Sequence, residues 1–147
     1  MSKATRERPD RYIQLHHFLL TSEAWKLSTV YARAIYVQLA SRYNGANNGK
    51  IAYSVRDGAK ECGVSKNTVT RALGELVELG FVEETRHGDL SGKTRVASEW
   101  RLTAFKCDLT GALKTCAFLH RGAQARALRQ PRSRPHAATV TLRLFKP

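Results

Sequence analysis

Between Ser54 and Phe81, two segments of helical apolar periodicity are joined by a single Gly-Val pair, and this spacing constrains the fold more than any other feature of the chain. Ser54 can cap a helix running through about Glu61, with Val55, Ala59 and Cys62 on its inner face. Gly63 relieves the strain of the sharp bend and Val64 plugs the angle between the helices. Ser65 then caps a second helix whose apolar residues Val69, Ala72, Leu73, Leu76 and Leu79 fall at i, i+3, i+4, i+7 and i+10. Gly80 ends it in a C′ position.

This periodicity predicts that Lys66, Asn67, Thr70, Arg71 and Gly74 face solvent. Such a face suits DNA reading. The second helix of a helix-turn-helix pair enters the major groove, and side chains in its N-terminal half reach base edges. Asn pairs bidentately with adenine and Lys or Arg with guanine, while Ser and Thr hydroxyls suit phosphates or bases. No acidic residue lies between Val64 and Gly74; Glu75 and Glu78 come only in later turns. Asn67 stays open to two readings, a base reader or an ordinary first-turn residue.

The flanking segments complete an architecture. Tyr12 to Leu20 predicts a short helix and Trp25 a core anchor; Ser28 sits at an N-cap position before Tyr31, Ala34, Ile35 and Leu39, a helix expected to reach about Tyr43. Asn44 to Gly49 is a turn cluster, and Ile51 to Tyr53 one short strand. Phe81 to Thr85 and Arg95 to Thr103 read as two strands, the second with Val96, Ser98, Trp100 and Leu102 on one side. Helix, strand, two helices and a hairpin is the order of an α+β winged helix-turn-helix, a three-helix core with a β-hairpin wing. The wing would carry Arg86, His87, Lys93 and Arg95 to the phosphate backbone or minor groove.

Charge points the same way. The 147 residues hold 25 Lys+Arg against 12 Asp+Glu, a formal net charge of +13, which favours nucleic acid or an anionic membrane surface as partner. The excess is concentrated late: residues 104–147 hold 9 basic and 1 acidic residue, a net of +8. Arg126, Arg129, Arg132 and Arg134 with Pro131 and Pro135 give this stretch the composition of a poorly ordered basic tail. The expected division is a flexible N-terminus over 1–10, the winged helix over 11–103, and the tail over 104–147. The tail has three readings: a non-specific phosphate clamp, an RNA-binding segment that orders on binding, or a dispensable extension.

The run from Gly63 to Leu76, Gly-Val-Ser-Lys-Asn-Thr-Val-Thr-Arg-Ala-Leu-Gly-Glu-Leu, continuing to Leu79-Gly80-Phe81-Val82, resembles the recognition region of bacterial winged-helix regulators of the GntR and MarR type. Over about residues 10–103 the chain is similar to helix-turn-helix proteins of alphaproteobacterial genomes, plasmids and prophages, through Trp25, Leu27-Ser28, Arg42 to Gly45, Asn47 to Gly49 and Ser98 to Thr103. The resemblance implies sequence-specific DNA binding with Ser65, Lys66, Asn67, Thr68, Thr70 and Arg71 at the helix and a basic wing. It leaves regulation and plasmid or phage replication both open. The 44 residues after Thr103 are too few and too basic for the effector domain of the GntR type, and the long dimerisation helices of the MarR type are not evident.

Other chemistries find no footing in the sequence. There is no phosphate-cradling glycine loop, nucleophile elbow or metal-spaced carboxylate and histidine set, so neither enzyme activity nor a cofactor is expected. Cys107, Cys116 and His120 lack a fourth ligand and read as scattered residues, and Cys62 as a small buried hydrophobe. Asp57 and Glu61 read as solvent-facing charges balancing Arg56 and Lys60. No apolar run approaches a membrane span and the first residues lack a secretory pattern, so a cytoplasmic, nucleoid-associated protein is expected. Duplex DNA is the expected partner, a homodimer is a further hypothesis, and a protein-interaction winged helix is the reading from another class.

Overall fold

The computed structural model describes residues 11–89 and 96–129. Six helices and three strands occur among them: α1 (His17–Leu20), α2 (Glu23–Leu27), α3 (Val30–Ser41), β1 (Ile51–Ala52), α4 (Val55–Cys62), α5 (Lys66–Glu78), β2 (Val82–Arg86), β3 (Glu99–Leu102) and α6 (Phe118–Arg129). Helices α3, α4 and α5 pack on one another, and the antiparallel sheet runs β1-β3-β2. Ile51 stands opposite Trp100, and Val82 opposite Leu102. This is the α+β winged helix expected from the order of elements.

Local chemistry sets most boundaries. Thr29, not Ser28, caps α3, its hydroxyl accepting from the Ala32 amide; Ser28 instead ends α2, its hydroxyl donating to the Trp25 carbonyl at 2.7 Å. Helix α3 stops at Ser41, two residues before the expected end, and the helix expected over Tyr12 to Leu20 is helical only from His17. In β3 burial is not confined to the side that carries Trp100 and Leu102. Arg101 is buried along with Trp100 and Leu102, because its guanidinium donates to Glu83 at 3.1 Å and to the Leu113 carbonyl at 2.8 Å.

The core extends past the expected boundary at Thr103. Trp25, Tyr36, Phe81 and Phe118 form a chain of ring contacts, with Trp25 edge-on to Tyr36 and Phe81 at 5.7 Å and Phe118 stacked on Phe81 at 5.1 Å. Phe118 is fully buried, and burying one such side chain stabilises by about 1.5–3 kcal/mol. A Cβ on Gly122 would collide with the Ala24 backbone, so α6 rests directly on α2. Residues 104–129 therefore belong to the packed unit, and the expectation of one tail from 104 is corrected. Composition misled because Arg121 and Arg126 are exposed on a helix whose first residue, Phe118, is buried.

Asn48 ties the same region down. Its side chain is fully buried, donates to the carbonyls of Leu102 and Lys106 at 2.9 and 2.8 Å, and accepts from the Leu102 amide at 2.7 Å. A buried amide satisfied this fully fixes the chain that leaves β3.

Candidate nucleic-acid interface

Helix α4 begins at a capping box: the Ser54 hydroxyl accepts from the Asp57 amide, and the Asp57 carboxylate accepts from the Ser54 amide at 3.1 Å. The carboxylates of Asp57 and Glu61, expected to balance Arg56 and Lys60, turn to another cation. Both pair with Arg42 at the end of α3, whose guanidinium also donates to the Ala52 carbonyl and lies 4.7 Å over the Tyr53 ring. One cation thereby joins α3, the strand region and α4. Burial would raise the Asp57 pKa; the Ser54 hydroxyl and amide, together with Arg42, outweigh it and hold the carboxyl below its ordinary value.

The bend follows the chemistry of its residues. Gly63 adopts φ 64°, the left-handed conformation that glycine enters without a Cβ penalty. Gly58 lets α4 close on its neighbours, since a Cβ there would meet Val69 Cγ1 at 2.7 Å. Val69, Ala72, Leu73 and Leu76 of α5 are buried, while Lys66, Asn67, Thr70, Arg71 and Gly74 are exposed, the division that the periodicity predicts.

Within this face the hydroxyl residues behave differently from the others. The Ser65 hydroxyl accepts from the Thr68 amide at 3.1 Å and contacts the Thr68 hydroxyl at 2.9 Å; the Thr70 hydroxyl donates to the Lys66 carbonyl at 3.0 Å. These groups shape the helix start. Lys66, Asn67 and Arg71 extend outward from it.

The far end of α5 is gripped. Glu75 accepts from the Thr29 amide at 2.9 Å and hydroxyl at 2.7 Å, so its charge serves the N-terminus of α3 instead of facing outward. Arg121 of α6 donates to the Val77 carbonyl at 2.8 Å, and Gly80, at φ 80°, lies against the Ala117–Phe118 backbone. Sequence reasoning missed Glu75, Arg42, Arg121 and Asn48, because each acts on an element distant along the chain. Only the Ser54-x-x-Asp57 spacing carried a local signal.

The wing is described in part. Arg86 is exposed with its guanidinium 3.9 Å from the Glu99 carboxylate, and His87 Nδ1 lies 3.0 Å from Glu84. Lys93 and Arg95 lie outside the described residues. The hairpin base is held by the Gly88 amide donating to the Ser98 hydroxyl at 2.9 Å. Between it and the starts of α4 and α5 runs an open groove of about 440 Å³, lined by residues that include Ser54, Arg56, Lys66 and Ser98. A larger hollow of about 770 Å³ beside Arg11, Tyr43 and Phe105 shares no residue with α4, α5 or the wing.

Of the arginines expected to form a phosphate clamp, Arg126 sits on α6 and pairs with Glu23 at 2.9 Å, Arg129 is the last residue of that helix, and Arg132 and Arg134 lie outside the described residues. Among the described residues no group of three or more His, Cys, Asp or Glu is placed to hold a metal ion, and no helix is long and apolar enough to cross a membrane. Cys62, Cys107 and Cys116 are unbridged.

Residues 29–82 match a family model described as a helix-turn-helix domain. The matched span opens on the Thr29 cap of α3 and closes on the first residue of β2, so it holds α3 to α5 but neither β3 nor α6. No curated protein and no solved structure matches the chain significantly.

Proposed function

With residues 29–82 a helix-turn-helix domain, we propose that the protein binds duplex DNA sequence-specifically and acts as a transcriptional regulator in a bacterium or mobile element. One observation carries the reading: the exposed N-terminal half of α5 presents Lys66, Asn67 and Arg71 with no acidic side chain, and the nearest one, Glu75, is turned onto Thr29. Lys66, Asn67 and Arg71 would contact base edges, with Ser65, Thr68 and Thr70 holding the helix start and offering hydroxyls to phosphate. The groove beside Arg56 and Lys66 would take a backbone strand, and Arg86, His87, Lys93 and Arg95 are the wing residues that would contact the phosphate backbone or minor groove. Arg126, Arg129, Arg132 and Arg134 would add sequence-independent attraction, each phosphate contact contributing about 0.9 to the salt slope. Two copies would read two half-sites, and the protein would reside on the nucleoid.

Selection from random duplexes by the full chain at ~150 mM salt tests this. An enriched consensus is expected, and Asn67→Ala or Arg71→Ala should relax it at individual positions. No enrichment would sink the proposal in favour of a protein-interaction module. Bound sites near promoters indicate a regulator, whereas repeats at an origin indicate a replication initiator.

A further inference from the structure

Helix α4 carries two cations and two carboxylates, Arg56, Asp57, Lys60 and Glu61, with like charges four apart. Residues four apart share a helix face, so the cations form one stripe and the carboxylates the next. Left to itself such a helix would close Asp57 on Lys60, because opposite charges three apart are neighbours. Glu23 and Lys26 on α2 do this at 3.0 Å. On α4 the carboxylates turn the other way. Arg42, at the end of α3, takes Asp57 at 3.4 Å and Glu61 as well, and is itself pinned by the Ala52 carbonyl at 2.8 Å and the Tyr53 ring. Arg56 and Lys60 are exposed and, among the described residues, pair with no carboxylate. Their stripe borders the groove, which Arg56 lines together with Lys66 of α5. Lys60 stands one turn further along it, about 6 Å down the axis.

We infer that Arg42 is a positioning residue for DNA binding: by holding both carboxylates on the α3 side of α4, it leaves Arg56 and Lys60 as a second line of phosphate contacts beside α5. The inference rests on the DNA-binding reading and goes beyond it, giving Lys60 a contact and Arg42 a task. Charge identifies the ligand. Like charges four apart repel on a bare helix, and anions set at intervals relieve that repulsion, as the successive phosphates of one strand do. Arg42 makes no contact of its own in this arrangement, since its guanidinium is committed to Asp57, Glu61 and the Ala52 carbonyl. Without it, Asp57 lies three residues before Lys60 with no other cation to hold it. The carboxylates would then turn back on the cations of their own helix, and the phosphates would have to compete with them.

The salt dependence of the full chain's affinity for its selected duplex tests this. Arg56→Gln and Lys60→Gln, both at exposed positions, should each lower the slope of log affinity against log salt by ~0.9 and leave the consensus unchanged. Arg42→Gln should lower the slope too, although its side chain faces α4 and not the groove. Adding Asp57→Asn and Glu61→Gln to Arg42→Gln should restore slope and affinity, while the thermal unfolding midpoint stays below that of the native chain. Adding the exposed Glu78→Gln instead should restore neither. A triple variant as weak as Arg42→Gln would mean that Arg42 touches DNA itself or serves only the fold, and overturns the inference. Restoration by Glu78→Gln would reduce the effect to net charge and overturns it equally. So do unchanged slopes for both Arg56→Gln and Lys60→Gln, which decide the matter if Arg42→Gln does not fold. Failure to bind any duplex sinks the DNA reading and this inference together, whereas binding with unaltered slopes sinks this inference alone.

Discussion

The first two turns of α5 and its last turn sit in opposite surroundings. At the start, Lys66, Asn67 and Arg71 extend into solvent and only hydroxyl groups turn back to the backbone. At the end, α3 holds Glu75 through Thr29, α6 holds the Val77 carbonyl through Arg121, and Gly80 lies under Phe118. One helix is thus anchored at its C-terminal end and offered at its N-terminal end. The difference separates two duties along a single element: substitutions at the start should alter recognition, and substitutions at the end should alter stability.

Phe118→Ala probes the anchored end most severely. It removes a fully buried ring and should cost about 3–5 kcal/mol in denaturant unfolding. Truncation after Thr103 removes the same ring with all of α6 and should leave the chain unfolded by circular dichroism. A stable, cooperatively folding truncation would break the comparison.

At the offered end the readouts should reverse. Arg71→Ala should weaken binding to the selected consensus by ~1–3 kcal/mol while moving unfolding stability by no more than about 0.5 kcal/mol, as for other exposed positions. A larger stability loss than binding loss would show that Arg71 supports the fold. Thr29→Ala should follow with about 1 kcal/mol of destabilisation, since it deletes the α3 cap and one of the two bonds to Glu75.

The smallest effect concerns pH. Asp57 is held below its ordinary pKa in the folded chain, so it contributes stability above the unfolded carboxyl value of about 3.9 and loses it as pH falls through the folded value. The stability advantage of the native chain over Asp57→Asn should be constant near neutrality and vanish in acid. An advantage that persists in acid would place the stabilisation outside this carboxylate.

The helix pair was readable from local rules, because caps, glycine turns and apolar periodicity act within a few residues. Ser54, Gly63, Ser65 and Gly80 take the places those rules assign. The exposed face of α5 followed from the same period. Glu75 was not readable as a tie to α3, because its partner Thr29 is 46 positions away. Phe118 was not readable as a core residue, because the ring it stacks on, Phe81, belongs to a segment distant along the chain.

The amino-acid order alone thus determined the bend, the two caps and the side of α5 that faces solvent, since these depend on near neighbours and on a period of 3.6 residues. Tertiary structure decided what holds that helix: α6 on α2, Arg42 across α3 and α4, Glu75 on Thr29, and the buried Asn48. The physical reason is range. Capping and turn preferences act over one helical turn, whereas burial and buried hydrogen bonds gain their energy only when chain closure brings distant groups together.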